Sequence, residues 1–180
     1  MKKKFKNKID SEVLISQLML PNNSNFSGKI HGGFILSLMD QIAFACASKH
    51  SGNYCVTASV NTVDFLSPIE VGELVTLKAS VNYVGNTSME VGIRVDSENI
   101  RNGERKHCNS SYFTMVAKDE FGNSTKVPGI ILETKEDFRR FLTSIKRQEL
   151  KSEKLILLNE TDFDSHDYLE QLEGYNVKFL

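Results

Sequence analysis

Residues 30–50 read Ile30-His-Gly-Gly-Phe-Ile-Leu-Ser-Leu-Met-Asp-Gln-Ile-Ala-Phe-Ala-Cys-Ala-Ser-Lys-His50. A glycine pair opens the stretch and an apolar run at helical spacing follows it. Phe34, Ile35, Leu38, Met39, Ile42 and Cys46 recur at i, i+3, i+4 and i+7, the pattern of a helix face packed on a core. At about 100° per residue, this stripe sits about 150° from Asp40. An ordinary surface helix would be charged on that opposite side. Here Leu36, Ala43, Phe44 and Ala47 surround Asp40, and only Ser37, Gln41 and Ser48 make a narrow polar strip. A helix apolar nearly all round is predicted to be buried. A lone carboxylate on it needs a reason, because burying an unpaired charge is costly.

The 180 residues suffice for one sizeable core. Lys and Arg number 22 against 23 Asp and Glu, a net charge of -1 that lacks the basic footprint of a nucleic-acid binder. No apolar run approaches the ~18 residues that span a membrane. Met1–Lys8 is basic but no apolar segment follows it, so residues 1–11 read as a solvated tip and not as a secretory signal. Cys46, Cys55 and Cys108 are odd in number and lack Cys-x-x-Cys spacing, which reads as buried, reduced thiols of a cytoplasmic protein. His31, His50, His107 and His166 show no metal-ligand spacing, so no metal site is expected.

Outward from the central helix, Glu12–Leu20 reads as a short strand stopped by Pro21, and Pro21–Lys29 as a loop. Lys49 and His50 in the last turn and Gly52 just beyond it end the helix. Tyr54–Phe65 is rich in Val, Thr and Phe and ends before Pro68. Glu73–Val84 alternates through Val75, Leu77, Ala79, Val81 and Tyr83, and Thr87–Val95 through Met89, Val91, Ile93 and Val95. Gly85-Asn86 reads as a two-residue hairpin, and Asn102-Gly103 as a type I′ turn leading into a strand over Glu104–Lys118. The result is an α+β fold in which an antiparallel, curved sheet wraps one long helix. Thr134 and Asp137 form a capping box for a further helix with Phe138, Phe141, Leu142 and Ile145 on one side. That gives a domain over 12–130, a helical extension over 131–158 and an acidic tail over 159–180.

The chemistry concentrates where the loop enters the helix. A helix N-terminus offers free N–H groups and the positive end of its dipole, and Gly32 and Gly33 let another group approach them. That makes an oxyanion hole for a polarised carbonyl. Asn25 supplies a neutral amide and Asp40 a base. Together they suffice to hydrolyse an acyl compound, with a thioester the natural candidate. His31 is read first as a loop-holding residue, with a catalytic role as the rival; for Asn25 a plain turn role is the rival. Asp40 lies about 10 Å along the axis from Gly33. One protomer therefore cannot bring both to one carbonyl, whereas two antiparallel helices of a symmetric dimer can.

Asn25-Phe-Ser-Gly-Lys-Ile-His-Gly-Gly33, followed by Leu38-Met-Asp40, resembles the signature of hot-dog-fold acyl-CoA thioesterases. Val56-Thr-Ala-Ser-Val60, Phe65-Leu-Ser-Pro-Ile69 with Val71-Gly-Glu73, Thr87-Ser-Met-Glu-Val91 and Phe113-Thr-Met-Val-Ala117 are similar to the acyl-CoA hydrolase branch, which includes the cytosolic brain-type enzyme and its short-chain bacterial relatives. The resemblance covers roughly residues 12–130. It implies a hot-dog fold, hydrolysis of acyl-CoA, no cofactor beyond the coenzyme A of the substrate, Asp40 as general base or nucleophile, and Asn25 positioning water or thioester from the opposite protomer. It further implies carbonyl polarisation by backbone around His31, Gly32 and Gly33, a coenzyme A arm bordered by Gly85, Asn86, Thr87, Ser88 and Met89, and a trimer of dimers. One departure stands out: the branch often has an acid where this chain has Asn61 and an amide where it has Asp64. Two other hot-dog readings remain: a non-catalytic acyl-CoA-sensing module, disfavoured by Asp40, and a dehydratase or hydratase, which needs a catalytic His such as His31.

Overall fold

The computed structural model describes residues 5–159 and 174–177. The expected acidic tail falls largely outside them. Among the described residues are seven strands and two α-helices: β1 (Phe5–Asn7), β2 (Val13–Leu18), α1 (Gly32–Ser51), β3 (Tyr54–Val60), β4 (Glu73–Val84), β5 (Ser88–Asn99), β6 (Arg105–Lys118), β7 (Gly129–Ile131) and α2 (Lys135–Asn159). Five strands form an antiparallel sheet in the order β2-β4-β5-β6-β3. The sheet curls around α1, the hot-dog arrangement implied by the resemblance. The expected meander holds for β4, β5 and β6. By contrast β3 lies beside β6, at the edge far from β4, because Tyr54↔Lys118 through Val60↔Phe113 is its register.

The concave face follows the predicted alternation. Val75, Leu77 and Val81 from β4, Val91 and Val95 from β5, and Met115 and Ala117 from β6 are all fully buried. Against them α1 lays Ile35, Met39, Ile42 and Cys46. Burial on this scale contributes about 1.5–3 kcal/mol per large apolar side chain. Three bulges interrupt the ladders, at Ala58, Asn82 and Cys108, where registers shift between Thr57/Ser59, Val81/Tyr83 and Val95/Asp96. Each adds bend and twist, which lets a five-stranded sheet close over a single helix.

Both hairpins differ from expectation. Gly85 N–H donates to Ser88 O at 2.8 Å, so Asn86 and Thr87 are the central residues, one position later than read. Neither has positive φ. At the second turn Gly103 alone is left-handed (φ 75°), and its N–H reaches back to Asn99 O at 2.8 Å. A longer turn closed by one glycine replaces the type I′ turn, because Asn102 stays at negative φ. α1 begins at Gly32, two residues into the quoted stretch, and ends at Gly52 (φ 73°), whose N–H bonds Ser48 O at 2.8 Å.

The N-terminal tip is where the structure departs furthest. β1 pairs in parallel with β7, Phe5↔Gly129 to Asn7↔Ile131, and the Phe5 ring occupies the space a Cβ on Gly129 would need. Lys8 is buried and bonded to Asp137 at 3.1 Å and Glu12 at 3.0 Å. The basic run read as solvated thus contains the partner of a buried carboxylate. Asp137 also closes the expected capping box: it accepts from Thr134 N at 3.0 Å and Thr134 Oγ1 at 2.8 Å, while its own N–H donates to Thr134 Oγ1 at 3.1 Å. Through Ser144, α2 belongs to the compact body, with Phe141 against Tyr83 and Ser144 Oγ donating to the buried Glu90 at 2.6 Å. From Ile145 the helix forms a unit of its own, with Leu155, Ile156 and Leu157 exposed near its end. Phe138 and Leu142 of the expected stripe are exposed as well.

Burial alone raises the Asp137 pKa; the Thr134 hydrogen bonds and Lys8 outweigh it and hold the carboxyl at about 2. An unfolded Asp titrates near ~3.9, so the folded state binds fewer protons between these values. The cap's contribution, on the order of 2 kcal/mol, is then complete above about pH 4 and lost as the pH falls towards about 2. Melting curves against pH are expected to show this acid limb in the wild type and to lose most of it in Asp137→Asn.

Candidate active site

α1 presents one face to the sheet and leaves the other open. Ser37, Asp40, Gln41 and Phe44 on that face are all exposed in the single chain. The expectation that Asp40 is buried therefore does not hold for the isolated protomer. Of the apolar residues on that second face, Ala43 and Ala47 are fully buried and Leu36 packs against the core, while Phe44 is exposed and meets Tyr54 edge-on at 5.5 Å.

Asp40 is not left free. Thr57 Oγ1, on the neighbouring edge strand β3, donates to Asp40 Oδ1 at 2.5 Å and lies 3.5 Å from Met115 Sδ. This orients the carboxylate; its second oxygen, Oδ2, has no partner among the described residues. Thr57 is the site residue that sequence reading missed, standing unremarked inside Val56-Thr-Ala-Ser-Val60. Alternation placed it on a strand, but its pairing with Asp40 depends on β3 crossing to the β6 edge. The row Met89–Met115–Thr57 runs across β5, β6 and β3, which brings the Gly85–Ser88 turn to the same end of the sheet as Asp40. In that turn Asn86 is exposed while Thr87 and Ser88 are half-buried; Met89 has its side chain in the core and offers no surface to a ligand. Thr87 O and Asn86 O accept from Ala117 N and Val127 N, each at 3.0 Å, so the turn is pinned to the body.

The helix N-terminus forms a second group. His31 is the N-cap residue, and its Nδ1 accepts from Gly33 N at 2.9 Å. A Cβ on Gly33 would come within 2.9 Å of the His31 ring, so glycine is what allows the imidazole to fold back as a cap. The cap takes the Gly33 N–H out of the expected oxyanion pair in the free chain and gives His31 a structural task. Gly32 N–H keeps no partner among the described residues and remains the open donor. The Phe65 ring covers Gly32 so closely that a Cβ there would sit 3.1 Å from Cζ.

Asn25 performs the turn task weighed for it. Its Oδ1 accepts from Ser27 N at 2.9 Å, Ser27 Oγ at 2.7 Å and Lys29 N at 3.2 Å, which builds the loop. Its Nδ2 has no partner among the described residues, so what it offers outward is a donor. The loop is tied at its ends by His31 N to Asn23 O and Ile30 N to Ile69 O, both at 2.9 Å, and by the ion pair of Lys29 with Glu70. One group thus holds Asn25, His31, Gly32 and Phe65, the other Asp40, Thr57 and the Gly85–Ser88 turn. α1 runs unbroken between them, so the separation of about 10 Å between Gly33 and Asp40 stands. The chain thus carries two separate groups: open N–H donors at the helix N-terminus, and a carboxylate oriented by Thr57.

The thioesterase superfamily model matches residues 27–104. Protein VdlD of Helicobacter pylori is 44% identical over 142 residues, covering 79% of this chain and 81% of that protein. An uncharacterized acyl-CoA thioester hydrolase of Bacillus subtilis, YkhA, is 36% identical over 138 residues, with coverages of 77% and 80%. Among solved structures, an apo-hexameric acyl-CoA thioesterase superimposes with a TM-score of 0.82 at 38% identity, over 84% of this chain and 97% of that one. An acyl-CoA hydrolase of Staphylococcus aureus, in an asparagine-to-alanine form bound to coenzyme A, gives a TM-score of 0.82 at 30% identity over 94% and 99%. The same enzyme has been solved with an aspartate and with a threonine replaced by alanine.

The His31 cap gives a test that concerns folding alone. Losing an N-cap acceptor costs about 0.5–2 kcal/mol. His31→Ala is expected to lower the melting temperature by about 2–4 °C per kcal/mol lost. Gly33→Ala, whose Cβ displaces the ring, should do at least as much.

Proposed function

This chain belongs to the thioesterase superfamily, as an acyl-CoA thioester hydrolase, and on that premise we propose how it splits acyl-CoA into a free carboxylic acid and coenzyme A. The observation that carries the reading is the pair of half-sites: an uncommitted Gly32 N–H at a helix N-terminus, and a carboxylate held by Thr57 on the helix face left open. In the proposed reaction the thioester oxygen accepts from Gly32 N–H, where the helix dipole favours developing negative charge. Asn25 Nδ2 donates to the same oxygen or to the attacking water. Asp40 Oδ2 takes a proton from that water, which adds to the carbonyl carbon; collapse expels the thiolate of coenzyme A, which then takes up the proton.

The half-sites are about 10 Å apart along one rigid helix, so the reading requires two chains, with α1 helices antiparallel and two composite sites per homodimer. The exposed face carrying Ser37, Asp40, Gln41 and Phe44 supports such a contact, and a hexameric neighbour supports a trimer of dimers. The coenzyme A arm is assigned to Gly85, Asn86, Thr87 and Ser88, whose turn shares a sheet end with Asp40. No cofactor beyond the substrate's own coenzyme A is invoked. Among the described residues no helix is long and apolar enough to cross a membrane. A cytoplasmic location is proposed on the reading of Cys46, Cys55 and Cys108 as reduced thiols.

Purified protein mixed with acyl-CoAs and a thiol-reactive dye is expected to release coenzyme A; no release for any chain between acetyl and palmitoyl would overturn the function. Asp40→Asn should lower kcat by about 10²–10⁴-fold. Thr57→Val, which unties the carboxylate, should lower it by about 10–100-fold with less change in KM. Co-expression of Asn25→Ala and Asp40→Asn chains should restore activity in mixed dimers, since one of the two composite sites is then intact. No recovery would mean that each chain acts alone.

A further inference from the structure

The convex face of the sheet, turned away from Asp40, carries a second ordered group of side chains. Cross-strand partners line up there in rows. Leu14, Lys78, Arg94 and Ser110 form one, and Ser16, Thr76, Asp96 and His107 the next. His107 and Ser110 are three residues apart on β6 and in a regular strand would point to opposite faces. The bulge at Cys108 changes this: Val95 pairs with Asn109 but Asp96 with His107, so Cys108 and Asn109 are both buried and the residues flanking them both face outward.

The hydrogen bonds run in series. Asp96 Oδ1 lies 3.1 Å from His107 Nδ1, and His107 Nε2 lies 3.2 Å from Ser110 Oγ. With the proton on Nδ1, the carboxylate fixes the tautomer and Nε2 is the acceptor for the serine hydroxyl. Arg94 grips the same carboxylate, Nε to Oδ2 and Nη2 to Oδ1, both at 2.9 Å. Burial raises the Asp96 pKa, and the bonds from Arg94 and His107 more than reverse it, so the group stays ionised at neutral pH. Lys78 stands directly opposite Arg94 and has no counter-ion among the described residues. Like charges facing across a strand pair are unfavourable, and here they place positive potential beside Ser110. Lys78, Arg94, Asp96 and His107 border a groove of about 500 Å³, with Leu14 and Leu74 on its apolar side; Ser110 is not in its lining but pairs with Arg94, which is.

We propose that Asp96, His107 and Ser110 form a nucleophilic relay, flanked by Arg94 and Lys78, that makes a second hydrolytic site beside this groove, for carboxylic esters. The triad logic is one of geometry and roles: a nucleophile within reach of a base that a third group orients. Ser110 Oγ bonds to the ester carbonyl carbon as its proton passes to His107 Nε2. The carbonyl electron pair moves onto oxygen, beside the Arg94 and Lys78 cations. Collapse breaks the ester C–O bond, the alcohol leaves with the proton from Nε2, and Ser110 is acylated. Water, giving its proton to Nε2, then attacks the acyl carbon; Ser110 recovers a proton and the free acid departs. The sum is ester plus water to acid plus alcohol, independent of acyl-CoA hydrolysis at Asp40.

The test uses the full chain with Asp40→Asn as background in every arm, so that the helix site does not report. A fluorophosphonate probe followed by peptide mass spectrometry is expected to map to Ser110, and p-nitrophenyl acetate to be turned over with an initial burst. Ser110→Ala should abolish both without moving the melting temperature, which shows that the variant is folded. His107→Gln should slow labelling by about 10²-fold or more. Labelling no faster than in urea-unfolded protein, or unchanged by His107→Gln, would overturn the proposal and leave the cluster a surface hydrogen-bond network. So would an assembly of copies that covers the groove and blocks the probe.

Discussion

A curved sheet of five strands can bury only one side of the helix it encloses, and most of this molecule follows from that limit. Ile35, Met39, Ile42 and Cys46 reach zero or near-zero exposure against the concave face, while Asp40 and Phe44, on the other side of α1, stay open. The buried side holds the helix as a rigid bar. The open side is chemically unusual, since Phe44 stays part-exposed beside a carboxylate. An acid set among apolar neighbours becomes reasonable once that face is a place where a second surface and a substrate meet.

Rigidity makes the same helix a ruler. Its N-terminus, capped by His31 and entered through the Asn25 loop, is a donor end; its third turn, where Thr57 grips Asp40, is an acceptor end. A flexible connection would let the two swing together, but an unbroken α-helix from Gly32 to Ser51 does not. The loop chemistry serves the same purpose. Asn25 uses its carbonyl to hold its own turn and leaves the amide nitrogen facing out, so the group that shapes the loop is also the group that can reach a ligand. His31 acts likewise through Gly33, since the cap that secures the helix leaves Gly32 as the open N–H.

The central helix, its glycine stop, the alternation of β4 to β6 and the Thr134–Asp137 box were legible in the sequence because each rests on neighbours a few residues apart. What was not legible rests on partners far apart in the chain. Phe5 needs Gly129, and Lys8 needs Asp137, so a basic N-terminus read as solvated is in fact strand and ion pair. Thr57 meets Asp40 only because β3 crosses to the β6 edge. Asp40 and Asn25 were visible as chemistry without geometry: residue types and spacing identified them, but not which of their atoms are engaged. Turn types failed for a local reason. Asn102 and Asn86 stay at negative φ, and Gly103 supplies the left-handed step alone.

The bulges tie the two faces of the sheet together. A sheet wrapped around a helix must bend sharply, and a strand bends where it carries one residue more than its neighbour. Each extra residue also resets which side chains point outward from there on. At Cys108 the bend that helps close the concave core places His107 and Ser110 side by side on the convex face. It turns Cys108 and Asn109 inward together, with both side-chain polar atoms of Asn109 buried and unpartnered. A structure that needed only curvature could have placed small or apolar residues on the outer side of such a bend. This one has an aspartate, a histidine and a serine in hydrogen-bonding order, with two cations in the adjoining row. Curvature explains why these positions converge; it does not explain why those residue types occupy them.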